Sequence, residues 1–283
     1  MVTIKNDYIT AQISPLGAEL KSMQFNDTEY IYEGKPEVWN GSAPILFPFC
    51  GGMKGGKFTH EGKEYELTKH GYARRTLFEV ESAEETKAVF LHKSNEETKK
   101  CFPFDYELRV IFTLEEKSLK IDYNVKNTGA GDMYFGIGCH EAYYTPEGIE
   151  DYDVIFDEPQ TLETIQVFGN ALGDVKTPVI NDCTVLPLYE NYFTIDALVF
   201  DDIKFNSAVL KNRKTARKLR VDFPDAKVFL LWHKPNSPYI CLEPWRSCPD
   251  SITAESYELS EKNGIVKLPE NQVYNYHHSI TLY

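Results

Sequence analysis

Apolar positions in this chain recur with the period of two that marks strands, rather than the 3.6 of helices. Tyr106-Glu-Leu-Arg-Val-Ile-Phe-Thr-Leu114 alternates apolar and polar, Glu115-Glu-Lys-Ser118 turns the chain, and Leu119-Lys-Ile-Asp-Tyr-Asn-Val125 alternates again before Asn127-Thr-Gly129. That is the pattern of a β-hairpin. The same texture returns at Ala88–Leu91, Ala197–Phe200, Ser207–Leu210, Leu219–Phe223 and Ser279–Leu282. No window of about 11–18 residues holds a clean helical period, so helix is expected to be scarce. Short strands with turns at intervals of about eight to twelve residues predict antiparallel sheets packed as an all-β sandwich. No Pro/Gly/Ser linker, internal repeat or low-complexity segment divides the chain, and one domain spanning residues 1–283 is expected.

One stretch breaks the pattern with a charge. Phe229-Leu-Leu-Trp232, a break at Lys234-Pro-Asn-Ser-Pro238, and Tyr239-Ile-Cys-Leu242 read as two short buried strands joined by a turn. Glu243 follows at once, fixed by Pro244 and beside Trp245. A carboxylate delivered to the edge of a core is partly desolvated, which raises its pKa and suits general acid or base work. A Glu in a post-strand turn paired with Arg246 accounts for the same residues.

Composition narrows the function classes. The 283 residues carry 30 basic and 43 acidic side chains, a net charge of −13, which repels phosphate backbones and anionic membrane surfaces. Neither nucleic acid nor membrane is expected as a partner. Aromatic residues make up 13%, with 18 Tyr and 17 Phe, which favours strands and surfaces that stack on sugars or other flat ligands. Met1–Asp7 contains no apolar signal region, and no run of about 18 uncharged apolar residues occurs anywhere. The six cysteines (50, 101, 139, 183, 241, 248) lack C-x-x-C spacing and read as reduced core thiols, so a cytoplasmic location is expected. The basic run Lys211–Arg220 stands out in so acidic a chain, but it falls where a hairpin loop belongs and reads as a solvated turn, with partner binding the alternative.

Two further places combine a histidine with aromatic, turn-rich surroundings. In Lys69-His-Gly-Tyr-Ala-Arg-Arg75, His70 precedes a glycine that permits close backbone approach. In Tyr134-Phe-Gly-Ile-Gly-Cys-His140-Glu-Ala-Tyr-Tyr144, an apolar run ends at His140, with Glu141 read as only a charged neighbour. Either histidine alone is also what a hydrogen-bonded structural residue looks like.

Taken in order, these places resemble the aldose 1-epimerase (galactose mutarotase) family, in particular its divergent, lactose-operon-associated branch. The resemblance runs from Ile13-Ser-Pro-Leu-Gly-Ala-Glu-Leu-Lys-Ser22 through Ala43-Pro-Ile-Leu-Phe-Pro48, Gly55-Gly-Lys-Phe58 with Gly62-Lys-Glu-Tyr65, and His70-Gly-Tyr-Ala-Arg74. It continues through the His140 segment, Asp196-Ala-Leu-Val-Phe200 and Glu243-Pro-Trp245. It implies a large antiparallel β-sandwich holding a monosaccharide, with Glu243 as base and His140 as acid. The same resemblance implies His70, Asp196 and Trp245 as sugar contacts, no cofactor and no metal, and a monomer or homodimer. One departure stands out: where family members carry an arginine shortly before the Gly-Lys-Phe element, this chain has Gly51-Gly52, and Arg74 is the nearest replacement.

The residue types fit that chemistry on their own terms. Exchanging anomers needs a base for the C1 hydroxyl proton and an acid for the ring oxygen, so Glu243 and His140 should meet across one sugar-sized cleft. No P-loop, G-x-G-x-x-G or H-E-x-x-H is present, and adjacent His277 and His278 on one strand point to opposite faces, so both cannot ligate one ion. Three other readings stay open. An epimerase of a phosphorylated or sulfonated sugar would use Lys54, Lys57, Lys69, Arg74 and Arg75 as an anion clamp. A non-catalytic carbohydrate-binding module would need the aromatics alone. A glycoside hydrolase would set Glu243 and Asp196 as a carboxylate pair.

Overall fold

The computed structural model describes residues 1–283. Its architecture is an antiparallel β-sandwich. A nine-stranded sheet runs in the order Ala171–Pro187, Tyr152–Phe168, Ser207–Asn212, Lys218–Asp222, Val273–Leu282, Ser118–Asn127, Tyr106–Glu115, Lys87–Lys93, Glu79–Ala83. A six-stranded sheet carries Leu198–Asp201, Val228–Trp232, Tyr239–Trp245, Gly138–Cys139 and Ile45–Leu46, with Glu141–Tyr144 also paired to Tyr239–Trp245. A four-stranded sheet, Val2–Lys5 to Thr28–Glu29, contains the two strands implied for the opening segment, Ile9–Ser14 and Glu19–Phe25. The α-helical content is one turn, Glu96–Lys99, capped by Asn95, so the expected scarcity of helix holds. No helix is long and apolar enough to cross a membrane.

The alternation in sequence becomes alternation of burial. Along Tyr106–Glu115 and Ser118–Asn127 every second side chain is buried, and Glu115 faces Ser118 across a two-residue turn at Glu116-Lys117. These inward positions join a core of 64 buried residues reaching from Ile4 to Leu282. At roughly 1.5–3 kcal/mol for each large apolar side chain fully removed from water, this layer is the main force closing the sandwich.

One expectation needs correction and another gains detail. The strand bearing Glu243 does not stop before it: it runs through Pro244 to Trp245, with Leu230 opposite Glu243 and Phe229 opposite Pro244. Glu243 is therefore inside the sheet rather than in a turn after it, and Arg246 bonds the Tyr274 hydroxyl at 2.8 Å. The basic run does form the expected hairpin, Ser207–Asn212 with Lys218–Asp222, with an exposed tip at 213–216, and its arginines also find partners. Arg213 pairs with Asp153 at 2.5 Å, Arg220 with Asp157 at 2.6 Å, and the Arg217 guanidinium lies 4.4 Å over the Tyr30 ring.

Candidate active site

Strand register brings the two candidate proton carriers together. Gly138 pairs with Trp245 and Glu141 with Leu242 on the same two antiparallel segments, so counting inward sets His140 opposite Glu243. Facing side chains on one face of an antiparallel pair approach within a few ångströms, and here His140 Nε2 lies 3.4 Å from Glu243 Oε2. More than a hundred residues of sequence separation are closed by one cross-strand pair.

This pair sits in a cavity of about 520 Å³, within the roughly 300–1,000 Å³ usual for small-molecule sites. All six residues singled out in the sequence line it: Glu243, His140, His70, Arg74, Asp196 and Trp245. Glu243 is 1% exposed and its Oε2 has no hydrogen-bond partner within the protein. Burial is the main force on its carboxyl and holds its pKa well above the usual range, with Lys69 pulling the other way. Burial pushes His140 down to about 3, and the positive charges of Arg74 and Lys69 act in the same direction. Both shifts favour the uncharged forms. Trp39 stacks on the His140 ring at 5.2 Å and Trp232 meets it edge-on at 5.5 Å, which fixes the ring and excludes water from it.

His70 is oriented by backbone. Its own N–H donates to the Gly51 carbonyl at 2.7 Å, and the Gly51 N–H donates to His70 Nδ1 at 3.1 Å. An accepting Nδ1 leaves the hydrogen on Nε2, so His70 is a neutral donor, in keeping with a pKa that burial lowers well below 6.5. The glycine after His70 does allow the close approach expected of it: a Cβ on Gly71 would stand 2.2 Å from the Phe47 carbonyl oxygen. Gly51 is equally constrained, at φ +73° with its would-be Cβ 2.6 Å from Pro249. The chain's departure from the family arginine at this place thus coincides with the backbone grip on His70.

Arg74 lies on the short 3-10 turn Ala73–Arg75, donates from Nη2 to the Lys69 carbonyl at 2.9 Å, and keeps a buried Nε without a protein partner. Asp196 Oδ2 stands 3.9 Å from Lys69 Nζ across the cavity mouth. Trp245 offers only its ring, since its indole N–H donates to the Cys139 carbonyl at 2.9 Å. The five cations grouped by sequence separate in space. Lys69 and Arg74 line the cavity, while Lys54 binds the Ala254 carbonyl and Lys57 binds Glu64, both away from it.

Sequence reading missed Trp39, Trp232 and the wall formed by Phe193, Thr194, Ile195 and His233. Trp232 closes a strand that was legible, and its register opposite Cys241, two residues before Glu243, is the signal that could have found it. Trp39 carries no such signal, because Glu33–Asn40 has no period.

A sequence model described as aldose 1-epimerase matches residues 1–267. The chain belongs to the aldose 1-epimerase family. It is accordingly an isomerase by family, with a galactose mutarotase-like sandwich. Among its relatives, the plasmid-encoded protein LacX of Lactococcus lactis subsp. lactis is 34% identical over 282 residues, covering 94% of each chain. A solved galactose mutarotase related enzyme from Lactobacillus acidophilus superposes with a TM-score of 0.94 at 31% identity, over 99% of this chain and 96% of that one. A galactose mutarotase-like protein from Lactobacillus casei gives 0.92 at 27% identity, with both chains covered in full.

Proposed function

We propose that this aldose 1-epimerase family member interconverts the α and β anomers of a free hexose through proton exchange between Glu243 and His140. The observation that carries the reading is their 3.4 Å approach from facing strand positions inside a sugar-sized cavity. One group takes the C1 hydroxyl proton while the other protonates the ring oxygen. The ring opens, the aldehyde turns about the C1–C2 bond, and closure from the other face returns both protons. Glu243 is the base and His140 the acid for opening, and they exchange roles for closure. The reaction needs one proton on the pair, and their opposed shifts provide it: an uncharged carboxyl beside an unprotonated imidazole holds one between them. Transfer of that proton to His140 as the sugar hydroxyl enters sets up the base. Each positioned group typically contributes roughly 10²–10⁴ in rate, or about 3–5 kcal/mol of barrier.

The remaining residues hold the sugar. The His70 Nε2–H and Arg74 are donors, Asp196 is an acceptor for hydroxyls, and the Trp39, Trp232 and Trp245 rings supply apolar faces. Lys69 and Arg74 in the wall favour one second reading, a hexose bearing a phosphate or sulfonate. The unpaired, scattered cysteines favour work in the cytoplasm.

The test is NMR exchange between anomers across glucose, galactose and their 6-phosphates. Exchange faster than the uncatalysed rate with a neutral hexose is expected. Acceleration confined to the 6-phosphates selects the second reading, release of a new reducing end from an oligosaccharide selects a hydrolase, and binding without acceleration anywhere leaves only a carbohydrate-binding module.

A further inference from the structure

Cys241 has no part in the proton exchange, yet it stands beside it. On the strand Tyr239–Trp245, residues two apart share a face, so Cys241 and Glu243 project to the same side. Cys241 is unpaired and fully buried. Its Sγ, an imidazole nitrogen of His140 and a carboxylate oxygen of Glu243 all lie within 4.8 Å of one another. The His140 Nε2 to Glu243 Oε2 distance is 3.4 Å. Two ligand atoms each about 2.0–2.1 Å from a tetrahedral zinc stand roughly 3.3–3.4 Å apart, so these two already define one edge of such a tetrahedron. Glu243 is 1% exposed, and its buried Oε2 has no hydrogen-bond partner to compete for it.

We propose that His140, Cys241 and Glu243 form a three-ligand site for a zinc-class divalent cation, open to the sugar cavity at its fourth position, and that filling it stops anomer exchange. A thiolate, an imidazole and a carboxylate together suit zinc, cobalt or cadmium, whereas calcium and magnesium take oxygen ligands. Coordination uses the thiolate, the unprotonated imidazole and the carboxylate. The thiol proton and the proton held by the His140–Glu243 pair pass to water, and no electrons are transferred. With both proton carriers bound to the cation, neither can serve the sugar; this inhibitory half rests on the proposed function, while the binding half does not. A second trio, Cys139, Glu141 and His278, is equally close together but fully buried on the other side of the same strands and lines neither large cavity, so it has no comparable route of entry. His140 Nδ1 has no protein partner, whereas tight sites anchor the second nitrogen of a ligating histidine. The site is therefore weaker than a structural zinc site and reversible by chelators.

The test uses the full chain after chelator treatment, with cobalt(II) as the probe. One equivalent should produce thiolate-to-cobalt charge-transfer absorption together with the visible bands of a tetrahedral ion. Cys241→Ala should abolish the charge-transfer band, and replacing the exposed Cys183 by Ala should leave it intact. In the anomer-exchange assay, Cys241→Ala should require at least about tenfold more zinc for half inhibition, with metal-free exchange unchanged. Cys241→Ser keeps the side-chain volume and should also lose the band, which covers any failure of the alanine variant to fold. A cobalt spectrum without a thiolate band, or zinc inhibition undiminished in both Cys241 variants, overturns the site. Absence of exchange on every sugar, with the Cys241-dependent band present, would instead count against the proposed function alone.

Discussion

Replacing Glu243 with Gln keeps the shape of the side chain but removes the proton acceptor, so the exchange rate constant should fall by roughly 10²–10⁴ while sugar affinity changes little. His140→Asn should behave alike, and the double variant should be little worse than either, because the second deletion removes a partner already idle. Full activity of Glu243→Gln on a sugar that the unaltered protein equilibrates would end the assignment of the base. The pH profile adds a second readout. The pair works with one proton; it gains a second only far to the acid side, given His140 near 3, and loses its last above the usual carboxylate range, given Glu243. A rate plateau whose acid limb lies far to the acid side and whose alkaline limb is displaced above the usual carboxylate range is expected, and Glu243→Gln should abolish the alkaline limb. His70→Asn and Arg74→Ala should weaken binding more than they slow the bound reaction. At this scale the sequence showed a carboxylate where packing alone gave no reason for one. The depth of its burial was not legible, because Trp39 and Lys69 arrive from segments far away in the chain.

Among the elements, the cavity wall made by Phe193–Asp196 depends on the short turn Glu190–Phe193, and that turn is tied down by His233. His233 is 1% exposed, its Nδ1–H donates to the Tyr239 carbonyl at 2.6 Å, and its Nε2 stands 3.0 Å from Glu190 Oε2. Glu190→Ala should free this wall and raise the sugar dissociation constant by about tenfold, the scale of one hydrogen bond to a charged group, with the rate of the bound reaction nearly unchanged. Titration by NMR alongside saturating-substrate exchange separates the two, and an equal fall in the bound rate would show that the turn does more than bind. Strands whose two faces see different surroundings were readable, as Tyr106–Glu115 shows. The paired 17-residue strands Tyr152–Phe168 and Ala171–Pro187 were not: much of the second is exposed on both faces, and register shifts interrupt the pairing, so no period of two survives. The end of the Glu243 strand was misplaced for a related reason, since Pro244 looks like a stop yet is accommodated opposite Phe229.

For the molecule as a whole, we propose that residues 1–283 unfold as one unit, because the core of 64 residues draws on strands from both ends of the chain. Urea transitions followed by circular dichroism and by tryptophan fluorescence should coincide; two stable proteolytic halves would sink the idea. Acid should undo this unit earlier than it would a protein without buried histidines. His140 is held down to about 3, His92 to about 4 and His70 well below 6.5, all chiefly by burial. Between those values and 6.5 the unfolded chain binds protons that the folded chain refuses, so stability is full above 6.5 and declines as pH falls through this window. Glu243 opposes the trend above 4.5, where the folded chain keeps a proton that the unfolded one releases, but it is one group against three. Melting temperatures should therefore drop steadily from pH 7 to 4, and less so in His140→Asn; a flat profile would contradict the buried, uncharged histidines. One division within the fold reaches further than any single measurement. Glu243 lies within a strand and His140 at a register position facing it, whereas Lys69, Arg74 and Asp196 all lie in connections between strands. On the proposed mechanism, a lineage carrying this scaffold can thus change its diet by drift in the connections, admitting a new pattern of hydroxyls, while inheriting the proton exchange untouched.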